Sequence, residues 1–390
     1  MKGLMQDWPL LVHTFIDHAS IHHGDREIVT RKVEGDIHRT NYSEIHSRSR
    51  KFSKALIKLG VKKSDVIGTL AWNTHRHLES WYGITGVGAI YHTLNPRLFL
   101  EQLEYIINHA ENKFIISDIS FVKILEGLEE KIPNVKGIIF LTDKENMPET
   151  SLKNVFCYEE MVDAEDDNFS WIKVGEGDAC GLCYTSGTTG NPKGVLYSHK
   201  SNVLHTLVAN NADAMGIKST DSVMPVVPMF HANAWGIPYL ATMVGAKIVL
   251  PGKLLDGENV YNLIEQECVS FTAAVPTVWL MLFEFLNKHK KVLHSLKTCV
   301  VGGSACPKFM IEEFDKKHNV QVIHAWGMTE TSPLGTVNRP LTKHLKLSQQ
   351  KKYNLAIKQG RPLYGVEIKI TDDNGQVLAN DGKAFGHLWI

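Results

Sequence analysis

The stretch at 184–195, Tyr-Thr-Ser-Gly-Thr-Thr-Gly-Asn-Pro-Lys-Gly-Val, constrains this chain more than any other. The run before it, 178–184, is short and mostly apolar and fits a buried strand. Thr185, Ser186, Thr188 and Thr189 then place hydroxyls side by side, interleaved with Gly187, Gly190 and Gly194 and followed by Lys193. Glycine tolerates positive φ, so such a loop can turn several backbone N–H groups toward one anion. Hydroxyls add donors and the lysine adds a mobile point charge. At about 4 Å and an effective dielectric of about 20, one charge pair contributes roughly 4 kcal/mol before desolvation. The composition suits a polyphosphate. It is not a Walker A loop, which needs Gly-Lys followed by Ser or Thr. Here Pro192 precedes Lys193 and Gly194 follows it. A plain surface turn rarely gathers this many hydroxyls and glycines around one lysine.

A chain of 390 residues exceeds one ordinary core and predicts two or three subdomains. Its 43% apolar and 22% charged content is that of a soluble globular protein. Formal net charge is zero, so nothing favours nucleic acid or an anionic membrane. No window reaches the roughly eighteen uninterrupted apolar residues of a membrane span. The first nine residues lack the apolar run of a signal peptide, which makes a reducing cytoplasm the default. Six cysteines do not make a disulfide framework at this length. Cys180 and Cys183 have redox or metal spacing, but they sit in the apolar strand before the loop, and no second pair completes a zinc site. His18 and His22 stand four apart without a supporting carboxylate and read as a solvated helix face.

Along the chain, 8–24 has helical spacing. A hairpin is predicted over 27–31 and 36–42. Asn41 then caps a helix, with Glu44 three residues on, running to Leu59. Strands at 66–72, 89–91 and 114–117 alternate with helices at 75–88 and 100–109, which argues for a layered α/β subdomain with a largely parallel sheet. The acidic stretch 141–170 reads as a loop region between subdomains. After the phosphate loop come a helix at 201–215 and strands at 223–227, 246–250, 271–274, 296–301 and 321–324. Phe230, His231, Asn233 and Trp235 crowd a proline-flanked segment that reads either as core packing or as a binding wall. The apolar helix 278–286, with Trp279, reads as a buried helix, as one wall of an acyl pocket, or as both. Gly302-Gly303 after a strand permits close approach of a flat ligand. Thr329-Glu330, read alone, could simply begin a helix. The Lys-rich stretch 340–358 reads as a surface loop, and Asn374-Gly375 as a hairpin turn between 366–371 and 376–378. The expected division is a first α/β subdomain over 1–175, a second over 176–340, and a partial β-barrel-like subdomain over 341–390.

The run YTSGTTGNPKG closely resembles the phosphate-binding signature of the adenylate-forming superfamily of acyl-CoA synthetases, adenylation domains and luciferases. PMFHANAWG at 228–236 and HAWGMTETSPLGTVN at 324–338 resemble its medium- and long-chain fatty acyl-CoA synthetase branch. The resemblance covers the chain from about residue 8 onward. It implies the large α/β N-terminal domain of such an enzyme, with ATP, Mg²⁺ and coenzyme A as reactants and cofactor. It implies catalytic roles for Thr185, Lys193, His231, Thr329 and Glu330, with Mg²⁺ at Glu330. Nucleotide contacts fall on 185–190 and Lys193, on Gly303, Ser304 and Ala305, and on His324, Ala325, Trp326, Gly327, Met328 and Thr329, Trp326 stacking on adenine. Acid contacts fall on His231, Asn233, Trp235, Val275, Trp279 and Gly302, with Trp235 gating an acyl tunnel.

The implied reaction joins a fatty carboxylate to AMP and then to coenzyme A. Aryl or sulfur-containing acids are the alternative substrates, and a homodimer is compatible by analogy only. The family pattern has Gly-Glu-Leu where this chain has Gly386-His387-Leu388, and it continues for about another 100 residues. The family's ribose-binding aspartate, hinge and catalytic lysine find no match before residue 390. A truncated lid, or a nucleotide- or acyl-binding module without useful catalysis, is therefore the rival expectation.

Overall fold

The predicted cap at Asn41 forms. Its backbone is extended, and its side chain accepts the Glu44 N–H at 2.9 Å. The helix Tyr42–Lys58 then buries Ile45, Phe52, Ala55 and Leu56. Alternation of such helices with short apolar strands runs through the computed structural model, which describes residues 1, 3–185 and 191–390. Among these, the strands form two large sheets and one small one.

The first large sheet has seven strands, in the order Val155–Cys157, Ile138–Phe140, Phe114–Ser117, Val66–Leu70, Ile90–Thr93, Ala179–Thr185 and Lys193–Ser198. All neighbours pair in parallel except the last two, which are antiparallel. Both faces are covered, as parallel sheets require. Side chains alternate between clusters: Ile116 and Ile139 join the large central core, whereas Ile115, Ile138 and Phe140 pack outward with Leu103 and Leu125. The second sheet has nine strands. Gln321–Gly327, Thr298–Val301, Phe271–Ala274, Ser222–Pro225, Lys247–Leu250 and Glu27–Arg31 run parallel. Antiparallel strands flank them at both edges. Asn73 joins the two sheets. Its Nδ2 donates to the carbonyls of Pro225 and Val227, at 2.8 and 3.0 Å, and its Oδ1 accepts from Met229 N at 2.6 Å.

The mixed α/β architecture stands, but four local expectations need correction. The sheets cut across residue 175. Ala179–Thr185 and Lys193–Ser198 complete the first sheet, and the hairpin Glu27–Arg31 with Ile37–Asn41 closes one edge of the second. The stretch 141–170 is not all loop. Val155–Cys157 is an edge strand and Tyr158–Asp163 a helix, in which Glu159 accepts from Arg48 and Arg76 and the Tyr158 hydroxyl donates to Glu79. Within 340–358, Gln349–Ala356 is a helix anchored by buried Tyr353, whose hydroxyl donates to Asp315. In the tail the Asn374-Gly375 turn forms, but 376–378 contributes a single bridge, and Lys369–Thr371 pairs with His387–Trp389. No helix among the described residues is long and apolar enough to cross a membrane.

Candidate active site

Three segments converge where the strands of both sheets end, the usual location of a binding crevice in open α/β sheets. The first is the pair Ala179–Thr185 and Lys193–Ser198, in which Thr185 lies opposite Lys193. The second is the turn 228–236 after Ser222–Pro225. The third is the Ala325–Thr329 stretch with Gly302-Gly303 beside it. Tyr197 fastens the first to the third: its hydroxyl donates to the Thr329 carbonyl at 2.7 Å. Burial, with Cys183 and Glu330 nearby, pushes the Tyr197 phenol far up, so it remains a donor.

Between these segments lies a cavity of about 190 Å³, walled by His231, Trp235, Gly302, Gly303, Trp326 and Thr329 among others. The backbone of its aromatic wall is unusual. Ala232, Asn233, Ala234 and Trp235 all have positive φ, at 44°, 55°, 50° and 56°, and Gly236 follows at 73°. One left-handed turn of this kind costs roughly 1–2 kcal/mol per ordinary L-residue. Buried strain persists only where the surroundings over-determine it, and it gathers at functional sites. The turn presents the Trp235 indole across the double glycine. A Cβ on Gly302 would stand 3.1 Å from the indole, and one on Gly303 would meet Val275 at 3.0 Å. The flat group lying against these glycines is therefore a side chain of the protein itself.

His205 supports the turn from behind. It is buried, its ring lies where a Cβ on Gly236 would be, and its Nε2 accepts from Leu334 N at 3.3 Å. Burial lowers its pKa to about 4, so the ring is neutral. His231 stands at the cavity rim. Crowding by protein, and secondarily the Arg97 charge, hold its pKa below the ordinary histidine value, so it faces the cavity as neutral imidazole.

The structure brings Thr185, Lys193, His231, Trp235, Gly302, Gly303, Ala325, Trp326, Gly327, Met328, Thr329 and Glu330 into this region, Glu330 on an exposed short turn. Ser186, Gly187, Thr188, Thr189 and Gly190 lie outside the described residues. Ser304 and Ala305 are exposed on the loop beyond the cavity, and Val275 touches it only through Gly303. Two expectations are corrected. The His324 ring is turned away: its Nδ1 donates to the Ile357 carbonyl at 3.0 Å, which leaves Nε2 to accept from Cys306 N at 3.4 Å. Trp279 is fully buried in the core behind Phe271–Ala274, edge-on to Phe314, so it is part of the packed helix and no wall of this cavity. Asn233 lies behind the wall, buried.

Sequence reasoning passed over Tyr197, Tyr91 and Asn73, which act across long separations that no local pattern marks. Cys183 and Cys180 are hydrogen-bonded to Asn233 and Asn202, at 3.3 Å each. Burial lifts their thiols to about 11 and about 12, so both stay protonated.

Among the described residues no three His, Cys, Asp or Glu side chains gather as a metal cage. The lone carboxylate of Glu330 suits instead a cation such as Mg²⁺, which keeps water and takes its other ligands from phosphate.

The sequence matches the family model described as AMP-binding enzyme over residues 16–390. It is 46% identical over 388 residues to a medium-chain-fatty-acid–CoA ligase of Ectopseudomonas oleovorans, covering 100% of this chain and 71% of the relative. It is also 46% identical over 390 residues to a 3-methylmercaptopropionyl-CoA ligase of Ruegeria lacuscaerulensis, covering 100% of this chain and 72% of the relative. The fold superposes on the crystal structure of a long-chain-fatty-acid-CoA ligase from Archaeoglobus fulgidus with a TM-score of 0.83 at 24% identity, over 97% of this chain and 74% of that one. With a match over nearly its whole length, this chain belongs to the AMP-binding enzyme family.

Proposed function

We propose that this chain acts as an ATP-dependent fatty acid–coenzyme A ligase. A carboxylate oxygen attacks the α-phosphate of ATP, the bond to the β-phosphate breaks, and pyrophosphate leaves. The coenzyme A thiolate then attacks the acyl carbonyl, and AMP departs with the electron pair. Both steps require anions to be aligned against their mutual repulsion, so positioning and charge neutralisation carry the catalysis. Lys193 and Thr185 are suited to the phosphates and Thr329 to the α-phosphate side. Neutral His231 at the rim can donate to the carboxylate, and Trp326 offers a face to the adenine. Mg²⁺ held by Glu330 would supply further neutralisation of phosphate charge. The observation that carries this reading is the Tyr197–Thr329 hydrogen bond, which fixes the Lys193 strand beside the aromatic cavity.

A second reading concerns the acid. Small-molecule pockets commonly measure about 300–1,000 Å³. The cavity here, at about 190 Å³ with Trp235 across it, suits a short acid, such as the sulfur-containing substrate in the name of the Ruegeria relative. A longer chain requires Trp235 to move.

Pyrophosphate release by the full-length protein, with acids from acetate to palmitate and coenzyme A first omitted and then added, separates these readings. Activity peaking at a medium or long chain supports the fatty-acid reading, and a peak at short thioether acids the second. No acid-dependent release would sink both. Lys193→Ala should slow adenylation by about 10²–10³-fold, the usual loss when one preorganised charge stabiliser is removed. Unchanged adenylation in that variant would remove the loop lysine from the chemistry.

A further inference from the structure

The left-handed turn has an anchor. Asn233 is 3% exposed, and its amide is used on both sides. Oδ1 accepts from the Cys183 thiol at 3.3 Å, and Nδ2 donates to the Tyr91 hydroxyl at 3.2 Å. Cys183 spends its proton on Asn233, so in its 3.1 Å contact with Thr93 the threonine hydroxyl is the donor. Tyr91 is immobilised in turn. Trp81 stacks on its ring at 4.9 Å, Tyr239 donates to its hydroxyl at 3.2 Å, and Gly181 leaves room for the ring where a Cβ would come within 2.6 Å.

These contacts join two places that the chain separates by about fifty residues. Cys183 lies on the strand that ends at Thr185, two residues before the head of the phosphate loop. Asn233 lies between His231 and Trp235, two of the side chains that wall the cavity. The position makes two demands. Its φ of 55° favours glycine first and asparagine second. Its place between a thiol donor and a phenol acceptor requires an amide, which glycine lacks. An asparagine at a site where glycine would relieve the backbone is explained by the bonds it makes.

We propose that Asn233 and Cys183 are positioning residues for the acid half of the reaction: the Cys183–Asn233–Tyr91 chain of hydrogen bonds fixes the turn bearing His231 and Trp235 relative to Thr185. This rests on the ligase reading. It assigns to a buried amide and a buried thiol, neither of which reaches the cavity, control over how the carboxylate meets the nucleotide.

The conflict at position 233 supplies the test, in the full-length protein. Asn233→Gly relaxes the backbone and cuts the link. It should lower kcat/KM for the acid about tenfold, the scale of one buried hydrogen bond, with KM for ATP within about twofold of wild type. Cys183→Ala should give a similar loss, and Cys183→Ser, which restores a donor, should recover most of it. The double variant Asn233→Gly with Cys183→Ala should be no worse than either single one, because one link is being cut twice.

Wild-type acid kinetics in Asn233→Gly would overturn the proposal, as would losses that multiply in the double variant. Should Asn233→Gly not fold, the contrast between Cys183→Ala and Cys183→Ser decides alone, and equal kinetics for those two would sink the link. A wild-type protein without acid-dependent pyrophosphate release removes the ligase reading and the proposal together. An active wild type with an indifferent Asn233→Gly removes only the proposal.

Discussion

Two buried polar networks in this molecule solve opposite problems. Beneath the first sheet, Arg48 and Arg76 meet Glu79, Glu159 and Glu34 with the Tyr158 hydroxyl, at 2.6–2.8 Å throughout. Every member of this network except Glu34 sits on a regular helix. Beside the cavity, Cys183, Asn233 and Tyr91 make longer neutral bonds, and Asn233 sits on left-handed backbone. The charged network fastens three helices, Tyr42–Lys58, His75–Gly86 and Tyr158–Asp163, in unstrained conformations. The neutral one holds a conformation that the backbone alone would leave. Buried polarity thus serves the fold in one place and a strained wall of the site in the other.

The sharpest way to break this contrast is to cut the charged network. Glu79 is wholly buried and takes Arg48 Nε on one oxygen and the Tyr158 hydroxyl on the other. Removing one member of a buried pair leaves an uncompensated charge and costs about 3–5 kcal/mol. Glu79→Ala should lose stability on that scale in urea unfolding, while the fraction that folds retains its KM for acid. A shift in acid KM comparable to that of Asn233→Gly would mean that the two networks are not separate in function.

Histidines in the two regions sharpen the comparison by pH. His77, under the first sheet, donates from Nδ1 to the Trp72 carbonyl and accepts the Thr69 hydroxyl on Nε2. His205 accepts Leu334 N behind the cavity. Burial lowers both to about 4 in the folded protein, against about 6.5 unfolded. Above about pH 6.5 neither state binds the proton and stability is complete. As pH falls below it, the unfolded chain takes up protons first, so each histidine removes about 1.4 kcal/mol per pH unit until the folded pKa is reached. Between pH 7 and 5 that is about 2 kcal/mol each. Urea unfolding at both pH values should show His77→Gln and His205→Gln each losing less than wild type by about that amount. Equal losses in all three would show that these rings are not the acid-sensitive groups. Only protonation of His205 breaks a bond to a cavity residue, so His205→Gln alone should also shift the acid limb of activity.

What was legible in the sequence follows the same division. Local signals held: the Asn41 cap, the strand–helix alternation, and the buried strand that leads to Thr185. The motif at 324–331 lay beside the cavity through its backbone and Trp326, because a strand end fixes where its residues go. His324 did not follow, because the Ile357 carbonyl and the Cys306 N–H hold its ring away from the cavity. The helix at 158–163 stayed hidden because its reason is long-range. An acidic stretch looks like loop until Arg48 and Arg76 are seen to need it. The left-handed turn could not be read at all, since Ala232 and Trp235 have no preference for positive φ and the contacts that hold it, from Asn233 and His205, come from distant parts of the chain.

Trp279 is the smallest and most direct test of that division. Composition placed it on an apolar helix that could line an acyl pocket. The structure packs it edge-on to Phe314 with ring centroids 5.8 Å apart, within a core of Val260, Leu263 and Leu282. Its indole nitrogen is buried without a partner, so the nitrogen contributes nothing that phenylalanine would lose. Trp279→Phe should therefore cost about 1 kcal/mol, from the volume left unfilled, and should leave the profile of activity against acid chain length unchanged. Trp235→Ala should move that profile, because its indole walls the cavity. If Trp279→Phe shifted the preferred chain length, the tunnel would have to run through this core, and the wall of the site would extend to a helix that the structure assigns to packing alone.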